Sequence, residues 1–256
     1  MIKVLVSGAL GKMGQEVVKA VSSQDDMQVV AGVDPIATAP INGITMYQDL
    51  NEALSKTEVD VVVDFTEPTQ VLKNIQICLE KNVRVVVGTT GISDQDLVLL
   101  QEQSSDKDWA GIIAPNFAIG AVLMMRFAQE AAKFFPDVEI IEYHHQQKKD
   151  APSGTAIKTA EMISQVQVNQ KQKEDPTIQI IPGARGGRFD NINIHSVRLP
   201  GYVAHQEVIF GLPGQNLIIR HDSTHRESFM PGVLLAVRKV KDLQGIIYGL
   251  EHILFD

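Results

Sequence analysis

Fifteen residues near the middle of the chain concentrate side chains that exchange protons or bind anions. The stretch EYHHQQKKDAPSGTA, residues 142–156, contains two adjacent histidines, His144 and His145, and two adjacent lysines, Lys148 and Lys149. Imidazole and ammonium groups donate protons, and a lysine also pairs with a carboxylate. This density of titratable groups indicates a site that handles an anionic substrate and a proton.

The end of that stretch predicts the start of a helix. Ser153, Gly154 and Thr155 precede an amphipathic run, and the backbone N–H groups of a helix N-terminus bind anions. In the preceding strand, VEIIEYHH, successive side chains point to opposite faces, so His144 and His145 can serve one ligand only where the strand ends. A proton donor, a cationic partner and an anion cradle together suit the reduction of a small polycarboxylate.

Three glycines near the N-terminus indicate a nucleotide-binding turn. Gly8, Gly11 and Gly14 in GALGKMG follow the first apolar run and precede a helical pattern. Glycine permits a tight turn and a close backbone approach, and the N–H groups at the helix start bind a pyrophosphate. Asp34 ends the second apolar run, where a carboxylate can accept hydrogen bonds from an adenine ribose. The spacing, a variant of the usual fingerprint, therefore predicts a dinucleotide site.

Two more loops are expected beside that turn. GTTG (88–91) and APNF (114–117) each follow an apolar run, and ligands of open α/β sheets bind at the carboxyl ends of strands. Both loops are therefore expected to line a nicotinamide pocket.

The choice between NADH and NADPH depends on two charged residues. Asp34 favours the free 2′-hydroxyl of NADH, and Lys12 can offset part of the repulsion of a 2′-phosphate. NADH and NADPH are therefore both expected as cofactors. An exposed lysine at a helix start is an equal alternative for Lys12.

The elements that must position these residues fall into two groups. The first 115 residues alternate the apolar runs IKVLVS, MQVVAGV, VDVVVDF, VRVVVG and AGIIAP with amphipathic helical stretches. Nearly continuous apolar runs suit strands that are buried on both faces of a parallel sheet. Strand and helix alternation predicts an N-terminal Rossmann-like, doubly wound parallel sheet with right-handed crossovers.

From residue 116 the pattern changes. Helices are predicted at about 119–135 and 156–168, on either side of the strand VEIIEYH, and the polar run NQKQKEDP (169–176) predicts a surface loop. Four strand-like runs follow, TIQIIP, NINIHSVRL, HQEVIFGL and NLIIRHD, which predict a C-terminal α+β domain with an open mixed sheet. MPGVLLAVRKV and the last apolar run are predicted as helices that pack back on the first domain. The predicted domains are 1–115 with 226–256 for the dinucleotide and 116–225 for substrate and oligomerisation.

Composition narrows the class of protein. The formal net charge of −8 argues against binding of a phosphate backbone as the main task. No apolar run approaches the roughly 18 residues of a membrane span, and MIKVLVSG is expected to form a strand rather than a signal peptide. The one cysteine, Cys78, is expected as a buried helix thiol in a reducing compartment. We therefore expect a soluble cytoplasmic protein with no nucleic-acid, membrane or metal partner.

Taken together, these motifs resemble the 4-hydroxy-tetrahydrodipicolinate reductase (dihydrodipicolinate reductase) family of bacterial and plant lysine biosynthesis. GALGKMG, DFTEP, GTTG, APNF, EYHHQQKKDAPSGTA, GARGG and the VRLPG-to-IFG segment occur in the family's order over nearly the whole chain. VRLPGYVAHQEVIFG is similar to the version found in Gram-positive bacilli and differs from the G-E-H form found elsewhere. We therefore do not assign substrate contacts to residues of this segment from the resemblance to the family.

The resemblance implies a reaction and residue roles. Members reduce the cyclic imine product of dihydrodipicolinate synthase to tetrahydrodipicolinate with NADH or NADPH. They are tetramers joined through the sheet of the C-terminal domain, and their two domains close on hinges near residues 115 and 225. His144 matches the histidine that donates or accepts a proton, Lys148 matches the proton-donating lysine, and His145, Gly154 and Thr155 match substrate-binding positions. The implied cofactor contacts are Gly8, Ala9, Leu10, Gly11, Lys12, Met13, Asp34, Gly88, Thr89, Thr90, Ala114, Pro115, Asn116 and Phe117.

Two other functions share some of these features. Another two-domain NAD(P)-dependent dehydrogenase, acting on an aldehyde or a sugar, would have the glycine turn but need not have the HHQQKKDAPSGT cluster. A sensor that binds NAD(H) without chemistry should carry a basic DNA-binding module, and none is visible in the sequence.

Overall fold

The computed structural model of the chain describes residues 1–167 and 176–255. The chain forms two compact units, Met1–Phe117 with Phe229–Asp256, and Ala118–Ser228. Among the described residues, no helix combines the length and apolar character that a membrane span requires.

The first unit begins with alternating strands and helices. They are β1 (Ile2–Ser7), α1 (Lys12–Ser22), β2 (Met27–Val33), β3 (Thr45–Tyr47), α2 (Leu50–Lys56), β4 (Val61–Asp64), α3 (Pro68–Glu80), β5 (Arg84–Val87), α4 (Asp94–Ser104) and β6 (Ala110–Ile113). The valines of β4 and β5 are fully buried, as expected of strands that are covered on both faces. Helix starts follow local chemistry. Pro68 opens α3, and Ser93 forms a capping box with Asp96 at the start of α4.

The second unit contains two helices and a separate sheet. Its elements are α5 (Ile119–Ala131), β7 (Asp137–His144), α6 (Gly154–Val166), β8 (Gly187–Phe189), β9 (Ile192–Arg198), β10 (Ala204–Leu212) and β11 (Gln215–Ser223). The strand order is β11-β10-β7-β9-β8, in which only β7 and β9 pair in parallel. Helices α5 and α6 pack on one face of this sheet, which is the mixed sheet that the strand-like runs predict.

The chain then completes the first unit with α7 (Met230–Lys239), β12 (Gly245–Tyr248) and α8 (Glu251–Leu254). The first sheet has the order β12-β6-β5-β4-β1-β2-β3, and every pair in it is parallel. The predicted fold class, a Rossmann-like doubly wound sheet followed by an α+β domain, is therefore confirmed. Cys78 is the expected buried thiol of α3, and burial together with the charge of Asp64 raises its pKa.

Several predicted elements are wrong. TIQIIP (177–182) is not a strand, and Ile178 and Ile180 are 88% and 94% exposed. A run of strand-forming residues adopts a strand only where a partner is available, and here β8 pairs with β9 at that end of the sheet. The last apolar run is not one helix, because Gly245 and Gly249, both with positive φ, bracket the strand β12.

The remaining differences concern the ends of elements. The helix predicted to reach residue 135 ends at Ala131, and Phe134 is 76% exposed. The short elements β3, α2 and β8 were not predicted. Val168, the predicted end of the helix that forms α6, lies outside the described residues. So does nearly all of the loop predicted for 169–176.

Candidate active site

The glycine turn after β1 is packed closely against neighbouring backbone. Gly8 adopts φ +79°, and its carbonyl oxygen accepts the N–H of Gly11 at 3.0 Å. A Cβ on Gly8 would lie 2.3 Å from the carbonyl oxygen of Phe65, and a Cβ on Gly14 would lie 2.0 Å from that of Gly8. The backbone is therefore packed too closely for side chains here, while Gly11 serves as the N-cap of α1.

Asp34 joins two backbone segments. One carboxylate oxygen accepts the N–H of Leu10 at 3.1 Å, and the other accepts that of Ile36 at 3.3 Å. Asp34, Gly8 and Gly11 line a cavity of about 650 Å³ within the first unit, together with Thr66 of the β4–α3 loop. Its size and its glycine floor fit the adenosine and pyrophosphate parts of a dinucleotide. Lys12 is exposed at the first position of α1.

The other two expected loops lie at the same edge of the sheet. Gly88 follows β5 and Ala114 follows β6. Strand β5 pairs in parallel with β4 on one side and with β6 on the other. Gly88 leaves room for an aromatic ring, since a Cβ there would lie 2.1 Å from the side chain of Phe65. The rings of Phe65 and Phe117 are 6.0 Å apart, so the ends of β4 and β6 are packed together.

The buried carboxylate of Asp64 connects the loop after β4 with the loop after β5. Asp64, the last residue of β4, is 0% exposed and accepts hydrogen bonds from the Thr66 and Thr89 hydroxyls, both at 2.8 Å. Its second oxygen accepts from Asn74 Nδ2 at 2.7 Å. The loops after β4 and β5 are therefore held together by one buried carboxylate.

In the second unit, Glu142 forms the centre of the cluster that the sequence indicated. It is 0% exposed and accepts a bidentate pair from the Arg198 guanidinium at 2.7 and 2.8 Å. It also accepts a short hydrogen bond from Nδ1 of His144. Burial raises the pKa of Glu142, but the hydrogen bonds from His144 and Arg198 outweigh it and hold this pKa at about 2. The carboxylate is therefore ionised at neutral pH.

The same network reaches Lys148. The Arg198 guanidinium also donates to the backbone carbonyl of Asp150 at 2.7 Å. The Asp150 carboxylate in turn accepts from Lys148 Nζ at 2.8 and 2.9 Å. The hydrogen bond from Lys148 lowers the pKa of Asp150. The structure thus joins His144 and Lys148 through Glu142, Arg198 and Asp150. Lys149 is exposed.

The start of α6 differs from expectation at one position. Ser153 is the N-cap, and its hydroxyl accepts the N–H of Ala156 at 3.2 Å. The backbone N–H of Ser153 donates to Glu142 at 3.2 Å. This N–H is therefore not available to bind an anion together with those of Gly154 and Thr155, contrary to the prediction from the sequence. A Cβ on Gly154 would meet no atom within 4 Å, which leaves space beside this helix start.

His145 follows the last residue of β7, as expected for a residue at the strand end. Its Nδ1 is buried and has no hydrogen-bond partner in the described part of the chain. A buried nitrogen without a hydrogen-bond partner destabilises a protein by about 1–3 kcal/mol, and a ligand that pairs with it removes this cost.

Sequence reasoning gave no role to Asp64, Asn74, Glu142, Asp150 or Arg198. A usable signal exists for the two buried acids. Asp64 interrupts the apolar run VVVDF, and Glu142 lies on the same strand face as Val138 and Ile140, both buried. A carboxylate at a core position must have partners, although the sequence does not say which. No cluster of potential metal ligands occurs among residues 1–167 and 176–255.

Similarity to known proteins extends over both units. Residues 2–117 match the family model described as "Dihydrodipicolinate reductase, N-terminus", and residues 120–254 match "Dihydrodipicolinate reductase, C-terminus". The chain is 49% identical to a 4-hydroxy-tetrahydrodipicolinate reductase of Halalkalibacterium halodurans, over 99% of this chain and 100% of that protein. It is 51% identical to the protein of the same name in Listeria innocua, with the same coverage. A solved structure, dipicolinate-bound dihydrodipicolinate reductase from Paenisporosarcina sp. TG-14, has a TM-score of 0.90 at 45% identity, covering 99% of this chain and 100% of that one.

Proposed function

The chain belongs to the dihydrodipicolinate reductase family, and on that basis we propose how its residues carry out the family's reaction. It is an NAD(P)H-dependent oxidoreductase of the diaminopimelate route to lysine, and it reduces 4-hydroxy-tetrahydrodipicolinate (dihydrodipicolinate) to tetrahydrodipicolinate. Family membership over both units removes the two alternatives, an aldehyde or sugar dehydrogenase and a non-catalytic NAD(H) sensor.

The first unit is proposed to hold the cofactor. The turn at 8–13 would bind the pyrophosphate, Asp34 the adenine ribose, and the loops 88–90 and 114–117 the nicotinamide half. When bound, NADH or NADPH supplies the hydride. The close backbone packing at Gly8 and Gly14 and the cavity beside Asp34 support this assignment.

The second unit is proposed to bind the substrate as a dicarboxylate. A relative of 45% identity binds dipicolinate, an aromatic dicarboxylate of similar size. Here His145, Lys148, Gly154 and Thr155 would contact the substrate, with Lys148 as a cation and the N–H groups that start α6 as a cradle for one carboxylate. The buried, unpaired Nδ1 of His145 supports a ligand at this position. The bidentate pair with Arg198 offsets the charge of Glu142, which would otherwise repel the substrate.

The observation that carries the proton-transfer role is the hydrogen bond between His144 and ionised Glu142. A carboxylate only accepts, so Nδ1 of His144 carries the hydrogen and Nε2 is the atom that exchanges a proton with the substrate. Hydride addition leaves negative charge on the substrate. His144 and Lys148 would stabilise this charge and supply the proton that neutralises it.

The test is replacement of His144 by Gln, in an assay that supplies NADH, aspartate semialdehyde, pyruvate and the preceding synthase. We expect kcat to fall by roughly 10²-fold or more, the usual effect of losing an acid–base group, with NADH affinity unchanged. His195, which pairs with Glu139 at 2.8 Å, is the matched control, and its replacement by Gln should leave kcat near the wild-type value. Wild-type turnover in the His144 variant would remove this residue from proton transfer.

We further propose a homotetramer joined through the face of the second sheet that α5 and α6 do not cover. Ile141 and Ile209 are half-buried on that face, and Ile218, also on it, is 57% exposed. Charged pairs such as Arg220 with Glu207, at 3.0 Å, lie among them, so the face offers both apolar area and charge for a second copy. Sedimentation of the wild type and an Ile218→Asp variant tests this.

The proposed compartment is the cytoplasm, where NADH and NADPH are available.

A further inference from the structure

Asp64 is a buried anion without a counter-ion. It is 0% exposed, and among residues 1–167 and 176–255 no lysine, arginine or histidine forms an ion pair with it. Burying an ionised carboxylate is costly unless hydrogen bonds compensate for the lost water.

The groups around Asp64 are arranged to donate hydrogen bonds to both of its oxygens. One oxygen accepts the backbone N–H of Thr66 at 3.1 Å, and the other accepts the amide Nδ2–H of Asn74 at 2.7 Å. Each oxygen of Asp64 therefore accepts from at least one N–H donor. The hydroxyls of Thr66 and Thr89 add two further donors at 2.8 Å. Neutral donors thus surround this carboxylate inside the unit, an arrangement that suits a buried negative charge.

That charge lies at a defined place in the sheet. Asp64 pairs in register with Ser7 of β1 on one side and with Val87 of β5 on the other. In a doubly wound sheet a dinucleotide crosses the end of the first strand, with its adenosine beside the second strand and its nicotinamide half on the opposite side. Asp34, after β2, marks the adenosine side. Asp64 at the end of β4 and Thr89 after β5 lie across β1 from it, on the side proposed for the nicotinamide half.

Resting on that proposed cofactor placement, we propose that Asp64 is a positioning residue that favours hydride donation. It acts through Thr66 and Thr89, which it holds in place, and through its charge. The reduced nicotinamide ring is neutral. When its hydride passes to the substrate with both electrons, the ring becomes a cation and the substrate carbon is reduced. A fixed buried anion stabilises the cationic ring and the transition state that precedes it, and it keeps its own charge throughout.

The decisive measurement is the affinity for the two redox forms, not turnover. Asp64→Asn removes the charge with almost no change in shape. We expect the Kd for NAD⁺ to rise by at least about tenfold, equivalent to about 1.4 kcal/mol, while the Kd for NADH stays within about threefold of wild type. An equal loss for both nucleotides, or no change, would overturn the proposal, because a purely structural role does not distinguish the two forms.

Asp60 provides the matched control, since it precedes the same strand at its other end. It is exposed and accepts the backbone N–H of Lys3 at 2.7 Å. Asp60→Asn should leave the ratio of the two dissociation constants unchanged, and a shift equal to that of Asp64→Asn would mean that placement of the charge is irrelevant.

If Asp64→Asn does not fold, the exchange Asp64→Asn with Asn74→Asp is used instead. It retains an amide-to-carboxylate hydrogen bond but moves the charge onto α3, away from the 88–91 loop. We expect the affinity ratio to change in the same direction by at least about threefold, or about 0.6 kcal/mol. A wild-type ratio in this folded variant overturns the proposal.

Gly11→Asp tests the cofactor placement separately. Aspartate suits an N-cap position, so the fold should persist while the new charge repels the pyrophosphate. Both nucleotides should bind at least about tenfold more weakly, or about 1.4 kcal/mol. Unchanged binding in Gly11→Asp would contradict the placement itself, whereas an unchanged ratio in Asp64→Asn contradicts only the role of the charge.

Discussion

Among the described residues, each of the two units has one carboxylate that is 0% exposed near the end of a strand, and the two carboxylates are satisfied in different ways. Asp64 in the first unit accepts hydrogen bonds only from neutral groups. Glu142 in the second unit accepts from a guanidinium and an imidazole, at equal burial. The first unit therefore keeps a net negative charge at its proposed cofactor loop, whereas the second offsets the charge near its proposed substrate site.

This difference matches the charge that each ligand brings. A nicotinamide ring becomes positive as it is oxidised, and a nearby anion favours that change. A dicarboxylate is negative throughout, so an uncompensated anion beside it would weaken binding. Burial alone therefore does not define the role of a carboxylate in these sites. The charge of the groups that donate hydrogen bonds to it defines that role.

The largest expected effect comes from breaking the pair in the second unit. Arg198→Met would leave Glu142 buried without its main cation, and removing one partner of a buried pair costs about 3–5 kcal/mol of unfolding free energy. Arg238→Met is the control, because Arg238 also makes a bidentate pair, with Asp26, but both side chains are about half exposed. Urea unfolding should show a loss of only about 0–1 kcal/mol for this exposed pair. Similar losses in both variants would contradict the assigned importance of burial.

Acid should act selectively on the same carboxylate. The pKa of Glu142 is lowered from 4.5 to about 2, so its contribution to stability is fully present above pH 4.5 and is lost as pH falls towards 2. The contribution is on the order of 3 kcal/mol. Unfolding free energies measured between pH 6 and pH 2 should therefore fall more steeply for wild type than for Glu142→Gln. Parallel curves would show that Glu142 is not held ionised by its partners.

The paired lysines sharpen the comparison at the substrate site. Lys148→Ala removes the cation held by Asp150 and should lower kcat/KM by roughly 10–100-fold, since a hydrogen bond to a charged group contributes about 1.5–3 kcal/mol. Lys149→Ala should have little effect, because Lys149 is exposed. Steady-state kinetics on both variants decides the matter. Equal losses would mean that bulk positive charge, not position, attracts the substrate.

The smallest effect is expected in the choice of cofactor. Asp34 and Lys12 act in opposite directions on a 2′-phosphate. The buried Asp34 carboxylate already accepts two backbone N–H groups, which offset part of its charge, and the exposed Lys12 contributes about 0–1 kcal/mol. The kcat/KM values for NADH and NADPH should therefore agree within roughly tenfold. Lys12→Ala should penalise NADPH more than NADH, and Asp34→Ala should relax discrimination against NADPH. A thousandfold preference in the wild type would require another residue to recognise the ribose.

The local pattern was sufficient for much of the fold. The valine-rich runs predicted β4 and β5, and the change of pattern after residue 116 predicted a separate mixed sheet. It failed for TIQIIP and for β12. Both segments have strand-forming or apolar character, and the outcome depends on strand pairing. Strand β12 forms because it pairs with β6, which is far away in the sequence, whereas β8 occupies the sheet edge beside β9 and TIQIIP forms no strand.

The sequence by itself determined which residue types could do chemistry, because the glycine turn and the HHQQKKDAPSGT cluster are contiguous segments whose spacing carries their meaning. Only the tertiary structure decided how they are held. Arg198 lies 56 residues from Glu142, and Thr89 lies 25 residues from Asp64, yet each pair meets across neighbouring strands or their loops. Hydrogen bonds act over about 3 Å, so partners brought together by sheet pairing leave no periodic trace along the chain.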